Sequence, residues 1–192
     1  MTASDDESLP LKTERLASKT IFRGEKLTLR VDMLKMGDRP PATKEIIQHP
    51  GSSVMLPITD HGTVLLVRQW RAAQGCYTLE LPSGTRDGDE PPEVTADREL
   101  REETGYRASE FTPIGGFFPV SGYSEEYSHG YVATGLEFDP LPQDKLEDIM
   151  VVETTVDDLR RMCMNGDIDD ALTIAAVTRA SAFLDEARRA DV

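Results

Sequence analysis

Several residue types are scarce in this 192-residue chain, and each scarcity excludes a class of protein. There is one tryptophan, there are three histidines, and the two cysteines, Cys76 and Cys163, lie far apart in the sequence. Two widely separated cysteines match neither a disulfide framework nor the spacing of a metal site. We therefore expect reduced thiols, as in a cytosolic protein.

Long apolar runs are also missing. The longest purely apolar stretches are about as long as residues 174–177, whereas a membrane-spanning helix needs roughly 20 apolar residues. Residues 1–16 are acidic and polar and contain no apolar segment of the kind found in signal peptides. The sequence thus predicts a cytoplasmic protein with no membrane partner.

Basic residues are outnumbered by acidic ones. The 21 lysines and arginines against 35 aspartates and glutamates give a net charge of −14 and a pI near 4.6. Such a charge repels phosphate backbones and anionic lipid surfaces, so a nucleic acid polymer is excluded as a general partner. The 39% of hydrophobic residues is nevertheless enough for one domain with a buried core.

The pattern along the chain predicts three regions. Residues 1–18 are predicted to be a flexible acidic tail, with regular structure beginning near Thr20. Residues 19–50 are predicted to form an N-terminal antiparallel β extension, and residues 51–192 the main domain. In the extension, apolar and polar residues alternate, which predicts a strand that buries its apolar face; the apolar positions are Leu27, Leu29, Val31 and Met33.

Further strands and a few helices predict an α/β fold built around a mixed sheet. Strand-like segments occur at 44–49, 53–59, 64–67, 77–81, 111–118, 127–134 and 151–153. Helices are predicted at 91–104, from Thr155 to Met164, and in one longer run from Asp169 or Asp170 towards Arg188.

The helix at 91–104 carries the residues most informative about chemistry. Glu99, Glu102 and Glu103 are spaced i, i+3 and i+4, which places three carboxylates on one helical face. Arg98 lies four residues before Glu102 and can pair with it. The remaining repulsion would be relieved by a hard divalent cation that prefers oxygen ligands, with Mg²⁺ or Mn²⁺ the natural candidates.

These glutamates belong to a longer pattern that resembles the Nudix box. The matching positions are Gly84, Glu90, Arg98, Glu99, Leu100, Glu102, Glu103, Gly105 and Tyr106. The resemblance implies a Nudix fold over residues 51–192, which is an α/β/α sandwich around a mixed sheet. It also implies metal-dependent hydrolysis of a nucleoside diphosphate linked to a further group.

The resemblance implies a role for each residue of the site. Glu99 and Glu103 would ligate the metal, and the carbonyl group of Ser83 would complete its ligands. Glu102 would contribute to metal binding and catalysis, and Arg98 would orient it.

The flanking sequences resemble the ADP-ribose pyrophosphatase branch of this family. Residues 68–71 (Arg-Gln-Trp-Arg) and 79–84 (Leu-Glu-Leu-Pro-Ser-Gly) are similar to its motifs, which assigns Arg71 and Glu80 to substrate binding. The loop at 122–126 (Gly-Tyr-Ser-Glu-Glu) is similar to the branch's loop that carries the general base, so Glu126 takes that role and Glu125 is the alternative.

The resemblance also implies an assembly and a reaction. The extension is similar to the one through which these enzymes form homodimers, with Glu45 a candidate substrate-binding residue. The expected reaction converts ADP-ribose to AMP and ribose 5-phosphate. The alternatives are cleavage of GDP-mannose or another nucleotide sugar, and a non-catalytic Nudix-fold sensor that binds such ligands.

Overall fold

The computed structural model describes residues 12–25, 27–143 and 148–190, which divide into two compact units. Met1–His49 and Val120–Glu125 form the N-terminal unit, and Pro50–Pro119 and Glu126–Val192 form the C-terminal unit. The strands are β1 (Thr13–Arg23), β2 (Thr28–Met36), β3 (Ala42–Gln48), β4 (Ser52–Pro57), β5 (Val64–Arg71), β6 (Cys76–Glu80), β7 (Ser83–Thr85), β8 (Tyr106–Phe117), β9 (Ser128–Phe138) and β10 (Ile149–Thr154). The helices are α1 (Pro92–Thr104), α2 (Val156–Asn165), α3 (Ala171–Arg179) and α4 (Ser181–Ala190).

The N-terminal unit contains an antiparallel sheet in the order β1-β2-β3. Its first strand begins at Thr13, so the predicted start of regular structure near Thr20 is too late. The reason is long-range pairing: β1 lies along β2 from Thr13 opposite Met36 to Arg23 opposite Thr28. The polar residues of β1 carry no local sign of this partner, and residues 1–11 of the predicted tail lie outside the described residues.

The buried face of β2 is the opposite of the predicted one. Arg30 and Asp32 are 8% and 1% exposed, whereas Met33 on the apolar face is 42% exposed. Burial of the charged pair is tolerated because each side chain is hydrogen-bonded to the other. The alternation thus predicted the strand correctly but assigned the wrong face to the interior.

The C-terminal unit contains a mixed sheet in the order β7-β4-β9-β8 and an antiparallel sheet in the order β10-β5-β6. Strand β4 runs parallel to β9 and antiparallel to β7. Every residue of β4 is buried, because helices cover both faces of the mixed sheet. Met55 packs in a cluster with Leu100 of α1. Val54 packs in the larger cluster formed with α2, α3 and α4, so the predicted α/β/α layering is confirmed.

The helix boundaries follow local signals. Gly105 ends α1 in the left-handed conformation with φ 80°, which glycine adopts without a Cβ clash. The side chain of Thr155 caps α2 by accepting the N–H of Asp158, and Asp170 caps α3 in the same way. These three predictions are confirmed.

Two elements differ from the sequence-based expectations. The predicted long C-terminal helix is interrupted at Ala180, whose ψ of 12° departs from the helical value. Ala180 and Leu184 are both fully buried, so core packing sets this bend at a position with no glycine or proline. The short strand β7 was not predicted, since it is defined by its pairing with β4.

No helix within the described segments is long and apolar enough to cross a membrane. Both cysteines are free thiols, as expected.

The packing of α1 on the mixed sheet predicts the outcome of one core substitution. Leu100 is completely buried among Met55, Ala96, Tyr131 and Ala133. Leu100→Ala should lower the free energy of unfolding by about 2–5 kcal/mol, because it removes buried methyl groups and leaves a cavity. Val94→Ala, on the exposed side of the same helix, is the control and should change it by less than about 0.5 kcal/mol. Urea unfolding at one protein concentration measures both, and equal effects would contradict this packing.

Candidate active site

The N–H group of Ser83 and the carboxylate of Glu103 join β7 to α1. Ser83 donates this N–H to Glu103 Oε2 at 2.8 Å, and Glu103 is only 3% exposed. A carboxylate so buried on a helix would be costly without a donor. The contact therefore places the carboxylate of Glu103 beside the backbone of Ser83. Both residues are predicted metal ligands.

Gly84 lets a second glutamate approach the same strand. A Cβ atom on this residue would overlap the carboxyl group of Glu99. The Glu99 carboxylate therefore occupies the space where another residue would have its Cβ, and a side chain at position 84 would displace this carboxylate from β7. The structure thereby places Glu99 beside Gly84 and Glu103 beside Ser83, both on β7.

Arg98 holds three glutamates at once. Its Nη1 donates to Glu99 Oε1 at 2.7 Å and to Glu102 Oε2 at 3.0 Å. Its Nη2 donates to Glu90 Oε2 and to the carbonyl oxygen of Thr85, both at 3.1 Å. The predicted pair with Glu102 is confirmed, but the guanidinium also bridges α1 to the loop and to β7.

Glu90 is a site residue to which the sequence analysis gave no role. It accepts hydrogen bonds from Arg98 and Thr95, and these bonds, that from Arg98 foremost, lower the pKa of Glu90. Glu90 therefore stays ionised, and its carboxylate binds the Arg98 guanidinium from the loop that precedes α1. Its fixed position in the box was the only signal that could have identified it.

Arg71 and Glu80, both predicted to bind substrate, bind each other. Arg71 Nε donates to Glu80 Oε1 at 2.9 Å, and Arg71 Nη2 donates to Glu80 Oε2. Thr78 also donates to Glu80, which is 4% exposed. Burial alone would raise the pKa of Glu80, but the bonds from Arg71 and Thr78 hold it below its usual value. Glu80 is thus a buried anion that orients Arg71.

The turn from β6 to β7 is fastened to α3. Thr173, which is fully buried, accepts the N–H of Leu81 through its hydroxyl oxygen at 2.8 Å. The same hydroxyl donates to Asp170 Oδ2 at 2.7 Å. Burial raises the pKa of Asp170. These contacts, which the sequence analysis did not identify, fix the chain two residues before Ser83.

The two candidate bases have different surroundings. Glu126 accepts a hydrogen bond from Ser52 Oγ at 2.8 Å, whereas Glu125 is ion-paired to Arg30 within the N-terminal unit. Ser53 Oγ, next along β4, donates to the Pro92 carbonyl oxygen at the start of α1. Because neighbouring side chains of a strand point to opposite faces, Glu126 contacts the face of β4 that α1 does not cover. The hydrogen bond to Ser52 places Glu126 beside β4, within the C-terminal unit.

Glu45 belongs to the N-terminal unit. It is exposed on β3, opposite Val31 of β2.

The donor set around Ser83 fits a hard divalent cation by its chemistry. Carboxylates and a backbone carbonyl are the oxygen ligands that Mg²⁺ and Mn²⁺ prefer, and Gly84 leaves the room in which Glu99 reaches the backbone. As the side chains lie, no three His, Cys, Asp or Glu residues in the described parts of the chain are grouped as a metal site. In this arrangement Arg98 binds the carboxylates of Glu99 and Glu102.

Comparisons with known proteins identify relatives of this chain. The chain is 32% identical over 169 residues to a protein from Bacillus subtilis (strain 168) named ADP-ribose pyrophosphatase, covering 87% of this chain and 91% of that protein. It is 32% identical over 173 residues to a protein from Bacillus methanolicus named methanol dehydrogenase activator, covering 89% and 91%.

The fold is also similar to a solved structure. A crystal structure described as that of an ADP compounds hydrolase superposes with a TM-score of 0.81 at 21% sequence identity, covering 96% of this chain and 99% of that one. At this identity the likeness concerns the fold. A family model described as NUDIX domain matches residues 48–175, which is more than half of the chain. The chain therefore belongs to the NUDIX domain family.

Proposed function

We propose that this Nudix hydrolase cleaves the pyrophosphate bond of ADP-ribose, giving AMP and ribose 5-phosphate, with Mg²⁺ or Mn²⁺ as cofactor. The observation that carries the proposal is the packing of Glu99 and Glu103 against Ser83 and Gly84. Nudix hydrolases generally use divalent metal ions. The substrate is supported by the name of the Bacillus subtilis relative and by Arg71.

Glu99, Glu103 and the carbonyl oxygen of Ser83 would hold the cation, with Glu102 contributing. When bound, a divalent cation neutralises charge on the phosphate oxygens and lowers the pKa of water. The role of Arg98 follows from its hydrogen bonds, because it keeps Glu99 and Glu102 fixed and offsets part of their negative charge. Such fixed charges lower the cost of reorganisation during the reaction.

Arg71 is proposed to bind the phosphates. An arginine side chain has five N–H donors, and Glu80 uses one from Nε and one from Nη2. The remaining donors suit phosphate oxygens, which arginine binds in a planar, bidentate manner. Glu80 is then a positioning residue, because its buried carboxylate fixes the plane of the guanidinium.

Glu126 is proposed as the general base. In the reaction, a water oxygen attacks one phosphorus, the bond from that phosphorus to the bridging oxygen breaks, and a carboxylate takes the proton of the water. Glu125 is less suited to this role because Arg30 binds both of its oxygens. Glu126 accepts a hydrogen bond from the Ser52 hydroxyl on β4, and a hydrogen bond of this kind contributes only about 1 kcal/mol, so a catalytic loop can exchange it for a contact with substrate.

A regulatory role without catalysis is the competing function. The name of the Bacillus methanolicus relative, methanol dehydrogenase activator, is the observation in its favour. The complete set of contacts around Arg98 favours hydrolysis, since a sensor has no need to keep three carboxylates fixed.

A homodimer is proposed from the exposed apolar side chains of the N-terminal sheet. All eleven residues of β1 are exposed, and β1 is an edge strand. The large apolar residues exposed on this sheet and its β1–β2 turn are Leu16, Ile21, Phe22, Leu27 and Met33. Long exposed edges and apolar patches are typical of interfaces. Glu45 belongs to the same sheet and is a candidate to contact a substrate in the partner.

The first prediction concerns the substrate. Purified protein with Mg²⁺ should hydrolyse ADP-ribose to AMP and ribose 5-phosphate with a higher kcat/KM than GDP-mannose or a dinucleoside polyphosphate. Activity should be lost with EDTA and return with Mg²⁺ or Mn²⁺. Chromatography of the products measures this. A higher kcat/KM for GDP-mannose would mean that GDP-mannose, and not ADP-ribose, is the substrate. Tight binding without turnover of any of these compounds would support a sensor.

The second prediction concerns Glu103. Glu103→Gln should lower kcat at least about 100-fold, because the amide is uncharged and a poor ligand for a hard cation. The fold should persist, since the amide oxygen can still accept the Ser83 N–H. Glu93→Gln, an exposed glutamate on the same helix, is the control and should retain activity. Steady-state kinetics with circular dichroism measures both, and an active Glu103→Gln protein would mean that the metal lies elsewhere.

The third prediction concerns the dimer. Phe22 is 57% exposed on β1, and a charge there would oppose burial in an interface. Phe22→Glu should shift the protein from dimer to monomer at micromolar concentration in sedimentation velocity. Met164→Glu, which changes an exposed methionine at the end of α2, should leave the dimer intact. A monomeric unmodified protein would rule out this interface.

A further inference from the structure

A buried hydroxyl group near the start of α3 holds the chain between β6 and β7. Thr173 is completely buried, and its hydroxyl oxygen accepts the N–H of Leu81 at 2.8 Å. Leu81 is itself only 1% exposed, so its N–H group is out of reach of water and needs an acceptor within the protein. The hydroxyl group of Thr173 is that acceptor, and it ties this part of the chain to α3.

The direction of this hydroxyl group is set by Asp170. Thr173 Oγ1 donates to Asp170 Oδ2 at 2.7 Å, and the same oxygen accepts the N–H of Thr173 at 2.7 Å. A threonine hydroxyl has one proton to donate and two lone pairs that accept. Because the proton goes to the carboxylate, the lone pairs remain for the N–H of Leu81. Asp170 therefore orients the group that holds Leu81.

Two further hydrogen bonds hold the next two residues of the same segment. The Pro82 carbonyl oxygen accepts the N–H of Met55 on β4 at 2.9 Å. Ser83 donates its N–H to Glu103 at 2.8 Å. The ring of Pro82 also fixes its φ angle, which limits the ways in which the segment can bend. Residues 81–83 are therefore held in succession by α3, β4 and α1.

We propose that Thr173 is a positioning residue for the cation, because its bond to Leu81 sets the path of the chain that leads to the carbonyl group of Ser83. This inference rests on the proposed function, in which that carbonyl group is a cation ligand. Consecutive Cα atoms lie about 3.8 Å apart, so a shift at Leu81 reaches Ser83 across one restricted residue. Mg²⁺ demands near-ideal octahedral geometry, with oxygen ligands at about 2.0–2.1 Å. A small displacement of the carbonyl group should therefore weaken cation binding.

The hydroxyl group can be removed without removing the cap of α3. Valine has nearly the shape of threonine, so Thr173→Val fills the same space but leaves the buried N–H of Leu81 without its acceptor. An unpaired buried N–H group is unfavourable, so the chain at Leu81 should shift towards another acceptor or water. The backbone N–H of residue 173 can still donate to Asp170, which keeps its role as the N-cap. The substitution therefore acts on the segment 81–83 more than on the helix.

The test measures Mn²⁺ binding to the intact protein without substrate, by electron paramagnetic resonance of the free ion. Thr173→Val should raise the Kd for Mn²⁺ about tenfold, since loss of a group that supports a metal ligand typically costs about 10- to 100-fold in affinity. Thr173→Ser, which keeps the hydroxyl group, should have a Kd within about twofold of that of the unmodified protein. A Kd for Thr173→Ser as high as that for Thr173→Val would overturn the inference.

Two control substitutions separate this effect from a general loss of stability. Thr178→Val makes the same chemical change on the exposed side of α3, where the hydroxyl donates to the Ile174 carbonyl oxygen, and it should leave the Kd unchanged. Leu184→Ala removes buried methyl groups from α4, so it should lower the free energy of unfolding and leave the Kd unchanged. Should Thr173→Val fail to fold, Thr173→Cys, whose sulfur is a weak acceptor, gives the same comparison.

Glu103→Gln distinguishes failure of the inference from failure of the proposed cation site. If Glu103→Gln raises the Kd but Thr173→Val does not, the inference is overturned and the site remains. If Leu184→Ala raises the Kd as much as Thr173→Val, the effect is one of stability, and the inference is again overturned. If Glu103→Gln binds Mn²⁺ as tightly as the unmodified protein, or if neither protein binds it at millimolar concentration, the site and the inference both fail.

Discussion

Mutual repulsion among carboxylates is the constraint on which the rest of this structure depends. Glu99, Glu102 and Glu103 share one helical face, and unbalanced charges at such short spacing would destabilise α1. Arg98 relieves the repulsion by binding Glu99 and Glu102. Glu103 is stabilised separately, by the N–H group of Ser83. The backbone of β7 is therefore part of the same electrostatic arrangement as the helix.

Arginine–carboxylate pairs also occur elsewhere in the described parts of the protein. Arg71 faces Glu80, and Arg30 faces both Asp32 and Glu125. Arg71 gives two directional N–H donors to the buried Glu80, whereas Arg30 gives one to the buried Asp32 and two to the partly exposed Glu125. Such pairs contribute little net stability, because desolvation offsets the attraction. Their effect is to fix side-chain orientation, which suits the proposed role of Arg71 in binding phosphates.

In the folded protein, some of the excess acidic residues form ion pairs and others lie near the candidate metal site. Part of the excess negative charge is paired across strands and helices, as with Glu137 and Arg107 or Asp139 and Arg101. Another part is concentrated around Ser83, where oxygen ligands suit a divalent cation. A divalent cation bound there would let a strongly acidic chain bind an anionic nucleotide, as the proposed function requires.

The sequence by itself determined α1, its ends and the spacing of its glutamates, because caps, glycine conformations and the helical period act within a few residues. It also identified the family, since the box lies within one continuous segment. Tertiary structure alone decided that β2 buries Arg30 rather than Met33, that Arg71 is bound by Glu80, and that Glu126 contacts Ser52. Those outcomes depend on strand pairing and on partners distant in sequence, and alternation along a strand is the same whichever face is buried.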